Sequence, residues 1–253
     1  MSRHFSRLSA AIILAIGTAT AADAALVTGD IAFTAFNADE DGFSFAALAD
    51  IDAGTIIHFN DNEWNGSAIG SGGAFNTGEG AMSWNSGGSV ISAGTVIRFS
   101  AFDTSASASV GSLFGATGDN GINATNETIY AFLGTTSSAP TTFLAAISNG
   151  NFGSNGSLTN TGLASGTNAI ALTSSTDFAQ YTGARSGQAT FDAYRSLLAN
   201  NANWNNLGDG TFSGNLPDTT AFTLTPVPLP AAAWLLLSGI GGVFGFGRRK
   251  RAA

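Results

Sequence analysis

A chain of 253 residues has room for one generous domain or two small ones, and its lack of cysteine rules out disulfides, thiolate nucleophiles and Cys-ligated metals. The formal charge of −8 understates the acidity of the middle. Residues 25–226 hold sixteen of the seventeen Asp and Glu, against only Arg98, Arg185 and Arg195, a formal −13. Phosphate backbones are bound by Lys and Arg that displace counterions, so nucleic acid is excluded as a partner and anionic lipid surfaces are repelled. Such a body favours solubility and attracts cations.

Residues 1–24 carry Arg3 and Arg7, an apolar run ending at Ile16, and then small residues. That order is a secretory signal peptide; the apolar run is shorter than the ~20 residues a spanning helix needs. Ala22-Asp23-Ala24 fits an A-x-A cleavage site, with Ala19-Thr20-Ala21 as a second option. The expected secreted domain is therefore 25–225.

Next, "GDIAFTAFNADEDGFSFAAL" alternates Phe and β-branched residues on either side of Asn37–Gly42, which predicts a β-hairpin with a bulge or a longer loop. "IDAGTIIHFN" (51–60) and "ISAGTVIRFS" (91–100) echo one another 40 residues apart. Each predicts a turn feeding a strand, with Thr55, Ile57 and Phe59 on one face of the first and Thr95, Ile97 and Phe99 on one face of the second. His58 and Arg98 fall on the opposite faces. Two copies are too few for a solenoid and are read as similar strands of one sandwich. Further strands are expected at Thr128–Leu133, Thr142–Ile147, Asn168–Leu172 and Ala221–Thr225. "TFDAYRSLLANN" instead repeats its apolar residues at helical spacing, with Thr190 as a cap, which predicts one short helix near residues 190–200. The expected fold is all-β: a mostly antiparallel β-sandwich with that single helix.

Chemistry is sparse in this body. Without His4, His58 is the sole histidine, and it lies inside a strand rather than on a loop. No nucleophile elbow, zinc-protease motif or phosphate loop occurs, and one histidine without cysteine does not make a zinc site. Carboxylates remain. "NADEDG" and "NDNEW" offer Asp39, Asp41, Asp61 and Glu63 as oxygen donors for Ca²⁺, although neither follows a calcium-loop spacing and Asn and Asp make turns on their own account. Asp61 with Glu63 is a weaker candidate for a glycosidase acid and base. Trp64, Trp84 and Trp204 are either core residues or platforms for stacking on sugar rings.

The chain closes on "VPLPAAAWLLLSGIGGVFGFGRRKRAA". Leu229–Gly247 is uncharged and just long enough for a transmembrane helix, and the basic stop Arg248, Arg249, Lys250 and Arg251 keeps its end cytoplasmic under the positive-inside rule. Pro226, Pro228 and Pro230 hold the approach extended. The motif Val227, Pro228, Leu229, Pro230 and Ala231, followed by an apolar helix and a basic end, resembles the PEP-CTERM sorting signal in its VPLPA variant. That resemblance covers residues 226–253. It implies recognition by an exosortase in the inner membrane of a Gram-negative bacterium, cleavage near the motif, and release or attachment outside the cell. The body, through "GDIAFTAFNADEDGFSFAALADIDAGTIIHFNDNEW", is similar to lamin-tail-like sandwiches of Ig type in secreted bacterial proteins, a likeness that brings no catalytic residues with it.

The expectation is an exported, non-enzymatic cell-surface or extracellular-matrix protein without a resident cofactor. Its partners would be the secretion machinery, exosortase, transiently the inner membrane, and extracellular polysaccharide. A calcium- or glycan-binding extracellular module is the alternative, and a carboxylate-based glycosidase a third reading.

Overall fold

The computed structural model describes residues 25–153 and 155–225. The signal-peptide reading of 1–24 and the sorting-tail reading of 226–253, with its transmembrane helix, lie outside them. Among the described residues no helix is long and apolar enough to cross a membrane.

Alternating Phe, Ile and Ala build β1 (Ile31–Asn37) and β2 (Gly42–Ala47), joined by the acidic turn, as the pattern predicts. A register shift between Phe33 and Ala35 bulges the pair, so that Phe33 and Phe36, three residues apart, both reach the core. The repeated segments form β3 (Ile56–Asn60) and β5 (Val96–Ser100), which enter opposite sheets. Their leading residues Ile51 and Ile91 exchange two backbone hydrogen bonds of 2.9 Å, pinning the sheets together at that corner.

The remaining strands are β4 (Ala81–Asn85), β6 (Ser107–Ala108), β7 (Ser112–Thr117), β8 (Thr128–Thr136), β9 (Ala139–Ser148), β10 (Ala169–Ala171), β11 (Phe178–Tyr181) and β12 (Trp204–Asn206). They complete two six-stranded sheets, ordered β12-β11-β1-β2-β5-β6 and β10-β9-β8-β3-β4-β7. Pairing is antiparallel except for β10, which runs parallel to β9. The strands expected at 128–133, 142–147 and 168–172 are present. Ala221–Thr225 is not a strand: it is a strap with a single bridge, Gln188 to Leu224, because no neighbouring strand lies alongside to pair with it. The helix is one 3₁₀ turn (Asp192–Tyr194) followed by a single α turn, α1 (Arg195–Leu198), with Thr190 Oγ1 accepting the Ala193 N–H. Tyr194 and Leu198 are its buried anchors.

Between the sheets sits an aromatic core. Phe43 packs 5.2 Å from Phe59 and 5.1 Å from Phe99, and Phe45 lies 5.6 Å from Trp84, all ring to ring. Each fully buried Phe contributes about 1.5–3 kcal/mol, with roughly 0.5–1.5 kcal/mol more for a tilted or edge-on aromatic pair. Phe59 and Phe99, from the two copies of the repeat, meet at 5.0 Å and 89°. A second, smaller cluster covers the outer face of the β8–β9 region. There Trp64 and Phe75, from the 61–80 loop, pack over Tyr130, Phe132 and Phe143.

Candidate functional site

The end of the sandwich where β1 finishes and β3 gives way to its following loop gathers carboxylates. Strand alternation places Asp61 just past β3 and Glu127 just before β8 on the inner face, in step with Phe59 and Ile129 of the core. Asp61 is 6% exposed and Glu127 1%. The 118–127 loop folds across this end, with Ile122 plugging it and its N–H donating to Asp41 Oδ1 of the opposite sheet at 2.6 Å.

Each carboxylate has a defined job in holding loops. Asp61 Oδ1 accepts the Gly80 N–H at 2.6 Å, closing the 61–80 loop at its base. Glu127 Oε2 accepts from the Asn123 N–H (3.0 Å) and Nδ2 (3.3 Å), and Oε1 from the Thr128 N–H (3.2 Å). Asn side chains do the rest of the turn work. Asn60 Oδ1 accepts from the Asn62 N–H, Asn62 Oδ1 from the Glu79 N–H, and Asn149 Oδ1 from the Glu127 N–H.

Burial makes these acids unusual. It pushes Asp61 up to about 8, with repulsion from Glu127 and Glu79 adding to it against the Gly80 hydrogen bond. Burial also takes Glu127 to about 7, again with Glu79 opposing its charge, and takes Glu79 to about 7, with Glu63 adding repulsion. Asp41 reaches about 6 for the same first reason, helped by Asp103 and Glu40. Among the described residues no arginine acts on Asp61, Glu79 or Glu127. Three oxygens here have no hydrogen-bond partner among the described residues: Glu79 Oε2, Asn120 Oδ1 and Thr128 Oγ1, the last two on residues 7% and 1% exposed.

The four carboxylates read from the sequence as calcium donors are not brought together. Asp39 accepts the Phe212 N–H, Asp41 holds Ile122, Asp61 holds Gly80, and Glu63 is bonded by Asn76 Nδ2. Among the described residues no three His, Asp or Glu side chains converge to share a metal ion. Of the four, only Asp61 joins the buried cluster. Asp61 and Glu63 lie on one leg of the same loop, facing Gly80 and Asn76 rather than each other across a cleft.

His58 lies in β3, 5% exposed, with Nδ1 2.8 Å from Ser83 Oγ and Nε2 3.3 Å from the Gly134 carbonyl. Burial lowers its pKa, so it stands as a neutral strand-face residue. The tryptophans are not sugar platforms. Trp64, Trp84 and Trp204 are 2%, 0% and 9% exposed, and the indole N–H groups of Trp84 and Trp204 donate to Val110 O and Leu198 O. A cavity of about 330 Å³ beside Trp204 is lined by Thr173, Asn201, Asn206, Leu207 and Gly208, with no carboxylate.

Glu79, Asn120 and Glu127 escaped the sequence reading. Each stands alone among Gly, Asn and Thr in its segment, and only the closing of two loops onto one sheet end unites them with Asp61. A weak signal was present in the density of Asn and Asp across 119–127. No family model matches the chain, and no curated protein or solved structure is significantly similar to it.

Proposed function

We propose that this chain is an exported β-domain that works outside the cell without catalysing a reaction, delivered through exosortase-type sorting of its C-terminal segment. The observation that carries this reading is the order of features along the chain: a signal-peptide pattern in residues 1–24 and, at the close, Val227–Ala231, an uncharged run and Arg248–Arg251. Among the described residues, the buried apolar residues of both clusters run from Leu26 to Phe222. An acidic, cysteine-free body with one neutral, strand-bound histidine fits the same reading. The likeness to lamin-tail-like Ig-type sandwiches belongs to this proposal as its finer account of the fold.

Intact mass spectrometry of the protein from its native host, with both termini mapped, tests the reading. The expected termini lie near Ala25 and within 227–231. A chain ending at Ala253 in a membrane fraction would make the tail a permanent anchor and overturn the sorting account. A hydrolase activity of the purified protein, lost on changing one carboxylate, would overturn the non-enzymatic one.

A further inference from the structure

We propose that the capped acidic end of the sandwich binds one Ca²⁺, ligated by Asp61, Glu79 and the side-chain oxygen of Asn120, with Glu127 as a negative charge behind them. The site is centred on Gly80. Its N–H holds Asp61 Oδ1, which leaves Oδ2 of the same carboxylate for a cation. Glu79 precedes it in the chain and carries a buried Oε2 that no donor reaches. On the far side stands the 118–127 loop. A Cβ at position 80 would lie 2.3 Å from the Asp119 carbonyl oxygen and 2.7 Å from Asn120 Oδ1. Two oxygens of that loop thus press against the glycine that anchors Asp61.

Asn120 is the observation independent of the acids. It is more than nine-tenths buried, its Nδ2 donates to the Thr117 carbonyl at 3.3 Å, and its Oδ1 is left aimed at Gly80 with no donor. An amide oxygen buried without a partner is destabilising, and a cation removes that cost. The charges require the same thing. Asp61, Glu79 and Glu127 act on one another, and among the described residues no basic side chain acts on any of them. A buried carboxylate must take a proton or a counter-ion.

The donors select calcium. Two carboxylates, an amide oxygen and the backbone carbonyl of Asp119 are hard oxygen ligands on loops, which suit the six to eight flexible positions of Ca²⁺ better than the tight octahedron of Mg²⁺. Water would complete the shell. Glu127 is spent on Asn123 and Thr128, so it lends its charge rather than a bond.

The test is calorimetry and thermal melting of the full-length chain in mild detergent, stripped with a chelator and titrated with CaCl₂ or MgCl₂. Expected are one Ca²⁺ site, a Tm that rises with Ca²⁺, and a much weaker response to Mg²⁺. Because even outer partners of metal ligands are worth about 10- to 100-fold in affinity, Asp61→Asn and Glu79→Gln should each weaken binding at least tenfold. Asp61→Asn still accepts the Gly80 N–H, so circular dichroism should show it folded. Asp39→Asn, whose carboxylate accepts the Phe212 N–H away from the site, should bind as the parent does. No heat and no Tm change at about 10 mM Ca²⁺, well above the range of extracellular calcium modules, would overturn the proposal. So would undiminished binding by Asp61→Asn and Asn120→Ala. The assay does not depend on where the protein travels, so its failure would leave the sorting account untouched.

Discussion

At the end of the sandwich where β1 begins, every arginine has an anion or a carbonyl to hold. Arg185 sits 3.3 Å from Asp218, donates from Nη1 to the Thr220 carbonyl at 2.6 Å, and lies over the Phe222 ring at 4.9 Å. Arg195 pairs with Asp192 and donates from Nε to the Gly29 carbonyl at 3.0 Å. At the end where β1 finishes, Asp41, Asp61, Glu79 and Glu127 are buried or half-buried, and the hydrogen bonds they accept come from backbone N–H groups and Asn amides. One end is closed by internal ion pairs, the other by carboxylates that need something from solution. The acids differ in burial as well: Asp218 and Asp192 stay exposed beside their arginines, whereas Asp61 and Glu127 are buried with no basic partner among the described residues.

The two ends should therefore break differently. Arg185→Ala is expected to cost the most, roughly 2–4 kcal/mol, since it removes a charged hydrogen bond and a cation–π contact and frees the strap carrying Phe222. Chemical denaturation should show that loss equally with and without Ca²⁺. Gly80→Ala should cost about 1–3 kcal/mol by overpacking, because the new methyl would collide with the Asp119 carbonyl oxygen, which is backbone and cannot swing aside. Unlike Arg185→Ala, it should also abolish the Ca²⁺ response. If both variants respond alike to Ca²⁺, the contrast between the ends fails.

A smaller effect runs the opposite way. Above pH 8, where all three are ionised, Asp61→Asn removes one of three mutually repelling charges while keeping the Gly80 acceptor, so without metal it should melt higher. If that repulsion is worth about 1 kcal/mol, the gain is about 2–4 °C for a domain of this size. A lower Tm in chelator would mean that the Asp61 charge is stabilising.

The pH dependence of the metal-free protein should be the mildest signature. A carboxylate whose folded pKa lies above its unfolded value binds more protons folded than unfolded, so its charge opposes folding as pH rises between the two. With Asp61 near 8 and Glu79 and Glu127 near 7, stability in chelator should climb as pH falls from 8 towards 6.5. Below that His58 acts against the trend: its folded pKa is lowered, so the unfolded chain takes up its proton first. Saturating Ca²⁺ should flatten the slope, and a slope identical with and without Ca²⁺ would count against the site.

How far the sequence reaches is clearest at particular residues. The hairpin of β1 and β2, the repeat strands β3 and β5, and the inward faces of Ile57, Phe59, Ile97 and Phe99 were legible because period two is a local property of a half-buried strand. β4, β7, β11 and β12 were not. They are short, carry Gly, Asn or Gln, and exist because neighbours offer them hydrogen bonds. The tryptophans illustrate the same limit. Their core role was one of two readings until Trp64 was found under Phe75 and against Phe143.

The sequence by itself determined the charge of the body, the absence of thiol chemistry, the all-β class and the likeness of two strands, all of which follow from composition and local spacing. Tertiary structure alone decided which acids meet. Asp39, Asp41, Asp61 and Glu63 are close in the chain but are drawn to four different partners. Asp61, Glu79 and Asn120 are spread over 60 positions of chain yet meet around Gly80. The physical reason is that strand direction aims a side chain at a face, but only the register of distant strands and the closure of the loops between them bring two faces to the same place.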